Sequence, residues 1–439
     1  MEQLTKQGAA PSVPKGYKQT EVGVIPEDWE VVEFSEIGEA IIGLTYSPSD
    51  VNSSGKLVHR SSNIQNNQLA YDDNVYVTCN VPDKLILKKN DILICVRNGS
   101  RNLIGKSAII KGQSVGETFG AFMSVFRTNG YAPLIYQCFI SNIVQSQINA
   151  SLGATINQIT NKTLNSFQTP LPPTLTEQKA IATALSEVDE LISSLDQLLT
   201  KKQAIKQGAM QELLTGKTRL QGFAGSGRFK QTEVGRIPEE WDACHFEDVL
   251  DGFSSGMTPY RGTPEFYRGN IPWITSGELN YNVITDTHEK ITQDAVVKTS
   301  LKILPIGTFL MAITGLEAAG TRGSCGVTGI KATTNQSCMA LFPKLGKIDS
   351  KYLYHFYVHY GNELAFKFCQ GTKQQSYTGK IVKILPINLP PTLTEQKAIA
   401  TVLSDIDQEI EQLESKKAKY QELKQGMMQE LLTGKIRLV

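Results

Sequence analysis

The side chains best suited to chemistry in this sequence lie in short polar runs between apolar stretches. Arg, Asn, Gln, Ser and Thr hydrogen bond to the edges of DNA bases, while Lys and Arg also hold phosphates. In the first half of the chain, the runs HRSSNIQNN, VRNGSRN and GATINQITNK supply the candidates Arg60, Ser61, Ser62, Asn63, Arg97, Asn98, Ser100, Arg101, Thr155, Asn157, Gln158 and Lys162. Such runs are also common in solvated turns, so the runs as groups indicate a DNA-contacting surface better than any single residue does.

The second half carries comparable runs with different letters. They are GMTPYRGTPEFYRGN, WITSGEL, GTRGSCG, TTNQS and GTKQQSYTGK, and their candidates are Thr258, Tyr260, Arg261, Thr275, Ser276, Thr321, Arg322, Asn335, Gln336, Lys373, Gln374, Gln375 and Tyr377. The loops that begin at Gly153 and Gly371 hold matching positions in the two halves but differ in sequence. Two surfaces that read different base sequences need this combination.

Signals of catalysis or metal binding are weak. His355 and His359 have a spacing that suits zinc on a helix, but no third ligand lies near them in the sequence, so we expect packing and no metal site. The run GSGRF at Gly225 lacks the preceding strand and the form of a cofactor-binding glycine motif, and we interpret it as a flexible linker. Neither a PPY or PPF motif of amino-methyltransferases nor a convincing paired-acid nuclease motif occurs. We therefore expect no catalytic residues in this chain.

An internal repeat organises the 439 residues. Residues 171–220 align with 389–438 without a gap, and 33 of these 50 positions are identical. A shorter pair, KQTEVGVIPEDW and KQTEVGRIPEEW, begins at Lys18 and Lys230. The predicted organisation is an N-terminal segment 1–30, a globular head 31–170, a helix 171–220, a linker with the repeated motif 221–241, a second head 242–388 and a final helix 389–439. The two halves are nearly identical in the predicted helices and differ in the predicted heads. This pattern favours two binding heads on a common frame over a duplicated enzyme, whose catalytic residues would be kept in both copies.

Each long repeat predicts a helix of about 40 residues, or roughly 60 Å. Thr174 with Glu177, and Thr392 with Glu395, have the spacing of a capping box, and Gly216 and Gly434 stand where helices end. Apolar residues then follow in steps of three and four: Ile181, Leu185, Val188, Ile192, Leu195 and Leu199 in the first copy, and Ile399, Leu403, Ile406, Ile410 and Leu413 in the second. This pattern is typical of a coiled coil. An ordinary two-helix core inside a larger domain is the alternative.

Two such helices in antiparallel packing would give pseudo-two-fold symmetry, with one head at each end. The DNA groove repeats every ~34 Å, so helices of this length could hold two heads about one turn apart on a duplex. Lys202 and Lys206 interrupt the first apolar seam, and Gly208 and Gly426 weaken both helices. The far ends of the helices are therefore expected to bend or to meet a partner.

Composition limits the remaining possibilities. The net charge is only +1, so DNA binding must depend on local patches or on a basic partner. Seven cysteines without a CxxC pair indicate reduced thiols in the cytoplasm. The sequence contains no apolar run near the ~18 residues that span a membrane and no apolar segment typical of a signal peptide.

Taken together, the twin LPPTLTEQKAIAT starts, the twin KQTEVG motifs, and the openings GLTYSPSD and GMTPYRGTPEFYRGNIPWITSGEL resemble the specificity subunit of Type I restriction-modification systems. The resemblance covers nearly the whole chain. It implies an α+β fold in which two globular α/β target-recognition domains are separated by two long antiparallel coiled-coil helices, with pseudo-two-fold symmetry.

The resemblance also implies a function and partners. The subunit would be non-catalytic and would read a bipartite site in double-stranded DNA. It would bind two adenine methyltransferase subunits, which use S-adenosylmethionine, and could recruit a motor-nuclease subunit. Two alternatives stay open at this point: a coiled-coil scaffold whose heads bind protein partners, and a self-sufficient methyltransferase.

Overall fold

The computed structural model describes residues 13–153, 157–317, 320–369 and 375–438. The chain divides into two compact units. Unit 1 contains Met1–Gln197 together with Ser415–Val439, and unit 2 is Leu198–Glu414. We call residues 31–170 head 1 and residues 242–388 head 2. Unit 1 is thus built from both ends of the chain, whereas unit 2 is continuous in sequence.

In the described residues, unit 1 contains fourteen strands, most of them short: β1 (Tyr17–Thr20), β2 (Gly23–Pro26), β3 (Glu30–Glu33), β4 (Gly38–Ile42), β5 (Val51–Asn52), β6 (Lys56–His59), β7 (Ile64–Gln65), β8 (Gln68–Leu69), β9 (Tyr76–Val77), β10 (Ile92–Cys95), β11 (Ser107–Ile109), β12 (Thr118–Phe119), β13 (Met123–Thr128) and β14 (Gln168–Leu171). The strands of unit 2 in the described residues are β15 (Phe229–Thr232), β16 (Gly235–Pro238), β17 (Asp242–His245), β18 (Leu250–Ser255), β19 (Ile271–Ile274), β20 (Asn282–Ile284), β21 (Glu289–Ile291), β22 (Phe309–Ala312), β23 (Cys325–Thr328), β24 (Thr333–Thr334), β25 (Cys338–Pro343) and β26 (Pro386–Leu389).

The α-helices of the described residues are α1 (Phe34–Ile37), α2 (Ala132–Ile140), α3 (Asn142–Ser151), α4 (Asn161–Asn165), α5 (Leu175–Leu213), α6 (Phe246–Val249), α7 (Gln293–Lys298), α8 (Ser350–Phe368), α9 (Gly379–Lys383) and α10 (Leu393–Leu431). None of them combines the length and apolarity that crossing a membrane would require. The α+β fold class, with two globular heads and two long helices, is confirmed.

The two heads share one sheet topology despite their different sequences. In head 1 an antiparallel sheet has the order β11-β10-β13-β4, and in head 2 the order β23-β22-β25-β18 repeats it, with β20 added at the edge. A second small sheet contains a parallel pair in each head, β12 with β6 and β24 with β19. The central strands β10 and β22 are buried along their whole length, as strands covered on both faces must be.

Aromatic side chains fill the cores of both heads. In head 1 the rings of Phe34, Phe126 and Phe139 form one cluster with centroids 4.5–5.4 Å apart. In head 2 the rings of Tyr354 and Tyr357 on α8 pack edge-on against Phe309 of β22, at 6.4 and 5.7 Å. These contacts attach α2 and α8 to the sheets of their own heads.

Within each unit, the segments of α5 and α10 run antiparallel. In unit 1 Asp189 pairs with Lys424 and Asp196 with Lys417, so the partner number falls as the α5 number rises. In unit 2 the pairs are Lys202–Glu409 and Lys206–Asp407. The lysines that interrupt the apolar seam are therefore ion-pair partners across the helix pair, and the seam residues Ile181, Leu185, Ile399 and Leu403 are buried near the helix starts.

A buried carboxylate at the start of each long helix binds an arginine that follows the end of the other one. The Arg219 guanidinium donates to both oxygens of Glu395 at 2.6 and 2.8 Å. Arg437 likewise donates to both oxygens of Glu177. Thr174 and Thr392 cap their helices as predicted, by accepting from the backbone N–H groups of these glutamates. The other half of the predicted capping box is wrong, because the glutamate side chains turn to the arginines.

The short repeated motif packs against the end of a long helix. Trp29 and Trp241 are fully buried, and the guanidinium groups of Arg437 and Arg219 lie over their rings at 5.6 and 5.8 Å. The helices end before Gly434 and Gly216, which have φ values of 68° and 65°. The repeated motif thus packs in the same way against the end of a long helix in each unit.

We expect Gly434→Ala to destabilise unit 1 by about 2–4 kcal/mol. Its φ is left-handed, and an added Cβ would lie 2.5 Å from Cγ of Pro26 and 3.2 Å from Cε2 of Trp29. Gly426→Ala is the matched control, because nothing lies within 4 Å of its Cβ and helix propensity predicts a gain of about 0.5–1 kcal/mol. Chemical denaturation of both variants measures the difference. Equal stability of the two variants would contradict this account of the helix end.

Candidate nucleic-acid interface

One edge of each head is held by the same set of backbone hydrogen bonds. In head 1, N–H groups donate to carbonyl oxygens in the pairs Gly43–Met123 (3.1 Å), Leu44–Phe119 (2.7 Å), Gly120–His59 (3.0 Å), Val96–Phe122 (3.1 Å) and Ile159–Val96 (2.8 Å). In head 2 the pairs are Gly256–Cys338 (3.4 Å), Met257–Thr334 (3.1 Å), Asn335–Ile274 (2.9 Å), Ile313–Ser337 (2.9 Å) and Tyr377–Ile313 (2.9 Å). The bonds therefore define which residues of the two heads are equivalent.

We call this region the loop edge of each head. In head 1 it consists of residues 43–46, 59–63, 96–101, 120–122 and 157–159. In head 2 it consists of residues 256–261, 274–278, 313–317, 335–337 and 375–377. Four of the predicted polar runs in head 2 and all three in head 1 contribute to it, because the sheet topology brings their loops together.

Side-chain hydrogen bonds tie the runs of head 1 to one another. The Asn98 amide donates to Oγ of Ser61 at 3.1 Å and accepts from the backbone N–H of Ser100 at 3.0 Å. The Asn157 amide donates to the carbonyl of Gly99 at 3.2 Å, and Gln158 forms a β-bridge with Arg97. Thus the candidates of three separate runs form one surface.

The remaining candidates of head 1 are more scattered. Arg60 is ion-paired with Asp73 at 2.8 Å, and Arg101 donates to the carbonyl of Asn149 at 3.0 Å. Lys162 is exposed on α4, which follows this surface in the chain, and Ser62 is half-buried. Thr155 lies outside the described residues.

Two candidates, Asn63 and Tyr377, have buried side chains, and their contact with bases stays a prediction. The Asn63 amide donates to the carbonyl of Ala70 at 3.0 Å, and its oxygen accepts from the backbone N–H of Arg60 at 2.9 Å, so Asn63 shapes the loop from the inside. Glu278 has the same role in head 2, where it accepts from the backbone N–H of Thr275 at 2.7 Å. Tyr377 is buried as well, with 4% of its surface exposed.

In head 2 the polar runs make a similar surface with other letters. Oγ1 of Thr258 donates to Oε1 of Gln336 at 2.5 Å, and Asn335 accepts from the backbone N–H of Ser337 at 3.0 Å. Further candidates lie in neighbouring loops: Arg322 donates to the carbonyl of Leu316 at 3.0 Å, Thr321 to that of Gly315, and the N–H of Gln375 to Glu317 at 2.9 Å. Ser276 is half-buried beside Thr275, while Lys373 and Gln374 lie outside the described residues.

Arg261 is held by both an ion pair and aromatic rings. It makes two hydrogen bonds to the Glu289 carboxylate, at 2.6 and 2.8 Å, and lies over the rings of Tyr267 and Trp273 at 4.3 and 5.2 Å. These hydrogen bonds hold the pKa of the Glu289 carboxyl below its usual value. Tyr260, beside it, is 75% exposed. The side chains of Arg261 and Glu289 are 54% and 38% exposed, so this ion pair lies at the surface.

Phe122 is a surface residue that the sequence pattern did not indicate. This residue is 57% exposed on the loop edge of head 1, and the guanidinium of Arg97 lies 5.2 Å from its ring centroid. The run FGAFMSVF looks like a buried strand, so only its position two residues after the loop glycine Gly120 could have indicated exposure.

One histidine of the α8 pair is packed in the core, and the other, His359, is half-buried. His355 is buried, and its Nε2 lies 2.9 Å from Oγ of Ser404. Among the residues that the structure describes, no group of three or more His, Cys, Asp or Glu side chains is arranged to hold a metal ion.

The family model and the similar proteins all point to one family. A family model described as Type I restriction modification DNA specificity domain matches this chain twice, at residues 26–207 and 238–425. The chain is 28% identical over 445 residues to the putative type I restriction enzyme MjaX specificity subunit of Methanocaldococcus jannaschii, with 97% of each chain covered. It is 32% identical over 216 residues to the EcoKI specificity subunit of Escherichia coli K12, which covers 45% of this chain and 46% of that protein.

Solved structures show a similar fold. The crystal structure of a Type-I restriction-modification system S subunit from M. genitalium has a TM-score of 0.60 at 14% identity, covering 92% of this chain and 96% of that one. A chain from a structural study of complex assembly and conformational transition of the type I R-M system has a TM-score of 0.54 at 17% identity, covering 94% and 99%. At these identities the likeness shows the fold alone.

His59 at the loop edge makes the stability of head 1 sensitive to pH. Burial lowers the pKa of His59 to about 4, whereas an unfolded histidine titrates near 6.5. Between these values the unfolded chain binds more protons, so this stability contribution is complete above pH 6.5 and is lost as the pH falls towards 4. The difference amounts to on the order of 3 kcal/mol. The equivalent residue in head 2 is Ile274, so we expect His59→Ile to remove this part of the pH dependence.

Denaturation of wild type and variant between pH 7.5 and 4.5 checks this expectation. Parallel profiles for wild type and His59→Ile would contradict the role of His59.

Proposed function

This chain belongs to the Type I restriction modification DNA specificity family, and from that membership we propose how it works: each head reads one half of a split DNA target through its loop edge. The family match covers both heads separately, so one recognition surface per head follows from it. The chain is thus a DNA sequence-recognition subunit of a Type I restriction-modification complex. Which residues contact bases stays a prediction, as does the role of the long helices in setting the gap between half-sites.

The observation that supports this proposal is the equivalence of the two loop edges. Five of their backbone hydrogen bonds match, while the side chains at equivalent positions differ, for example Arg97 against Thr314 and Phe122 against Ser337. A constant frame with variable letters suits a device that reads two unlike base sequences. A scaffold that binds two protein partners needs no such matched frame, so we favour DNA.

The partners proposed for the complex are two methyltransferase subunits and, in some assemblies, a motor-nuclease subunit. The near-zero net charge supports a division of labour, because a protein that held DNA alone would need an excess of basic residues. We also propose that the chain itself is non-catalytic and that S-adenosylmethionine binds to the methyltransferase subunits. A self-sufficient methyltransferase is disfavoured, since the sequence lacks the PPY or PPF motif.

Exchange of one head tests the proposal. Residues 31–170 are replaced by the matching region of a relative, the chimaera is produced with its methyltransferase partner, and methylated adenines are mapped in the host genome. We expect one half of the methylated sequence to change and the other half to stay the same. A reciprocal exchange of residues 242–388 should change only the opposite half. A change in both halves, or in neither, would reject the assignment of one half-site to each head.

A second measurement addresses catalysis. The isolated chain is expected to transfer no methyl group to DNA and to show no saturable S-adenosylmethionine binding by calorimetry, while the complex with methyltransferase subunits shows both. Tight binding of S-adenosylmethionine to the isolated chain would restore the self-sufficient alternative.

A further inference from the structure

We propose that Arg97, held over the ring of Phe122, reads a guanine in the half-site of head 1 by donating to O6 and N7 in the major groove. This inference rests on the proposed function and adds a base and the side chain that selects it. The loop edge of head 1 carries one guanidinium that has no competing partner within the described residues.

The three arginines of this surface differ in what occupies their donors. Arg60 is bound to Asp73, and Arg101 donates to the carbonyl of Asn149. Arg97 is exposed, and in the part of the chain that the structure describes its guanidinium has no hydrogen-bond or ion-pair partner. Its planar group of donors is therefore free to bind a ligand with two acceptors in one plane.

Phe122 gives this guanidinium a fixed place. The backbone N–H of Arg97 donates to the carbonyl of Phe122 at 3.1 Å, so the two residues are neighbours across adjacent chain segments. The guanidinium carbon then lies 5.2 Å from the ring centroid, within the range of a cation–π interaction. An arginine held against a ring loses less rotamer freedom on binding than an unrestrained one, which favours a specific contact.

Guanine is the ligand that matches this geometry. Its O6 and N7 are two acceptors side by side in the major groove, and arginine is the residue that most often contacts them. A phosphate group would also accept from arginine, but it carries no base information. The exposed ring of Phe122 supplies an apolar surface beside the guanidinium, which suits the stacked edges of bases better than the hydrated phosphate backbone.

Head 2 explains why the pair is specific to one half-site. The positions equivalent to Arg97 and Phe122 are Thr314 and Ser337, so head 2 cannot form an arginine–aromatic pair at these positions. Head 2 places a stacked arginine elsewhere, at Arg261, where Glu289 binds it. The two edges therefore present different donors from one backbone frame.

The experiment uses the chain in complex with its methyltransferase subunits and a duplex that carries the methylated target. Each guanine of the head 1 half-site is replaced in turn by 7-deazaguanine, which lacks the N7 acceptor, or by inosine, which keeps both N7 and O6. We expect one position at which 7-deazaguanine weakens binding by roughly 5- to 10-fold while inosine does not. The Arg97→Ala complex should bind this target roughly 10- to 100-fold less tightly and should be insensitive to 7-deazaguanine at that position.

Matched variants separate reading from folding. Arg101→Ala should keep the base preference, because Arg101 is already bound to Asn149. Phe122→Ala should lose part of the preference, and Phe122→Tyr should restore it, since an aromatic ring rather than a particular residue is required. Genome-wide methylation by the Arg97→Ala complex should relax at one base of one half-site.

Several results would overturn the proposal. Arg97→Ala could weaken all duplexes equally with no position sensitive to 7-deazaguanine, which would identify a phosphate contact. Phe122→Tyr could behave like Phe122→Ala, or the head 1 half-site could contain no guanine on either strand. These outcomes would not contradict the proposed function as long as exchange of one head still changes one half of the methylated sequence. If the methylated sequence were not divided into two halves, both the proposed function and this proposal would be rejected.

Discussion

The fold depends on two buried carboxylates. Glu177 and Glu395 are each 1% exposed, and a buried charge without a partner would be strongly destabilising. Each receives its partner from the residues after the end of the other long helix, as Arg437 and Arg219 show. Because the same arginines cover Trp29 and Trp241, a single interaction joins a helix start, a helix end and the repeated hairpin motif in each unit. In each unit this interaction therefore connects the long helices with the segment that leads into the head.

The frame was largely predictable from the sequence. The repeat, the apolar steps and the caps at Thr174 and Thr392 predicted both long helices, whose bounds of Leu175–Leu213 and Leu393–Leu431 agree with the expected start and end. The role of the glutamates three residues after the caps was not predictable, because Arg437 is 260 residues from Glu177. Local spacing describes the favoured local partner, whereas an ion pair at such a distance depends on how the whole chain is arranged.

The loop edges were predictable as regions but not as individual side chains. Asn63 was selected because it is polar and lies in a polar run, and the same properties suit it to its actual role inside the loop. Tyr377 was selected because its run is polar, although its ring is buried in the core of head 2. Phe122 was missed because an apolar letter among apolar letters predicts burial. Base reading and loop shaping use similar residues, so only the fold separates them.

Unit 1 draws on both ends of the chain, and this has a consequence for its synthesis. Unit 2 is one continuous segment, so all of its residues are synthesised before residues 415–438 complete unit 1. At translation rates of about 5–20 residues per second, synthesis of residues 198–438 takes roughly 12–48 s. During this interval the apolar faces of the first long helix near Ile181 and Leu185 lack their final cover. A chain truncated before residue 415 would therefore leave Ile181 and Leu185 without the cover that Leu431 and Leu432 provide.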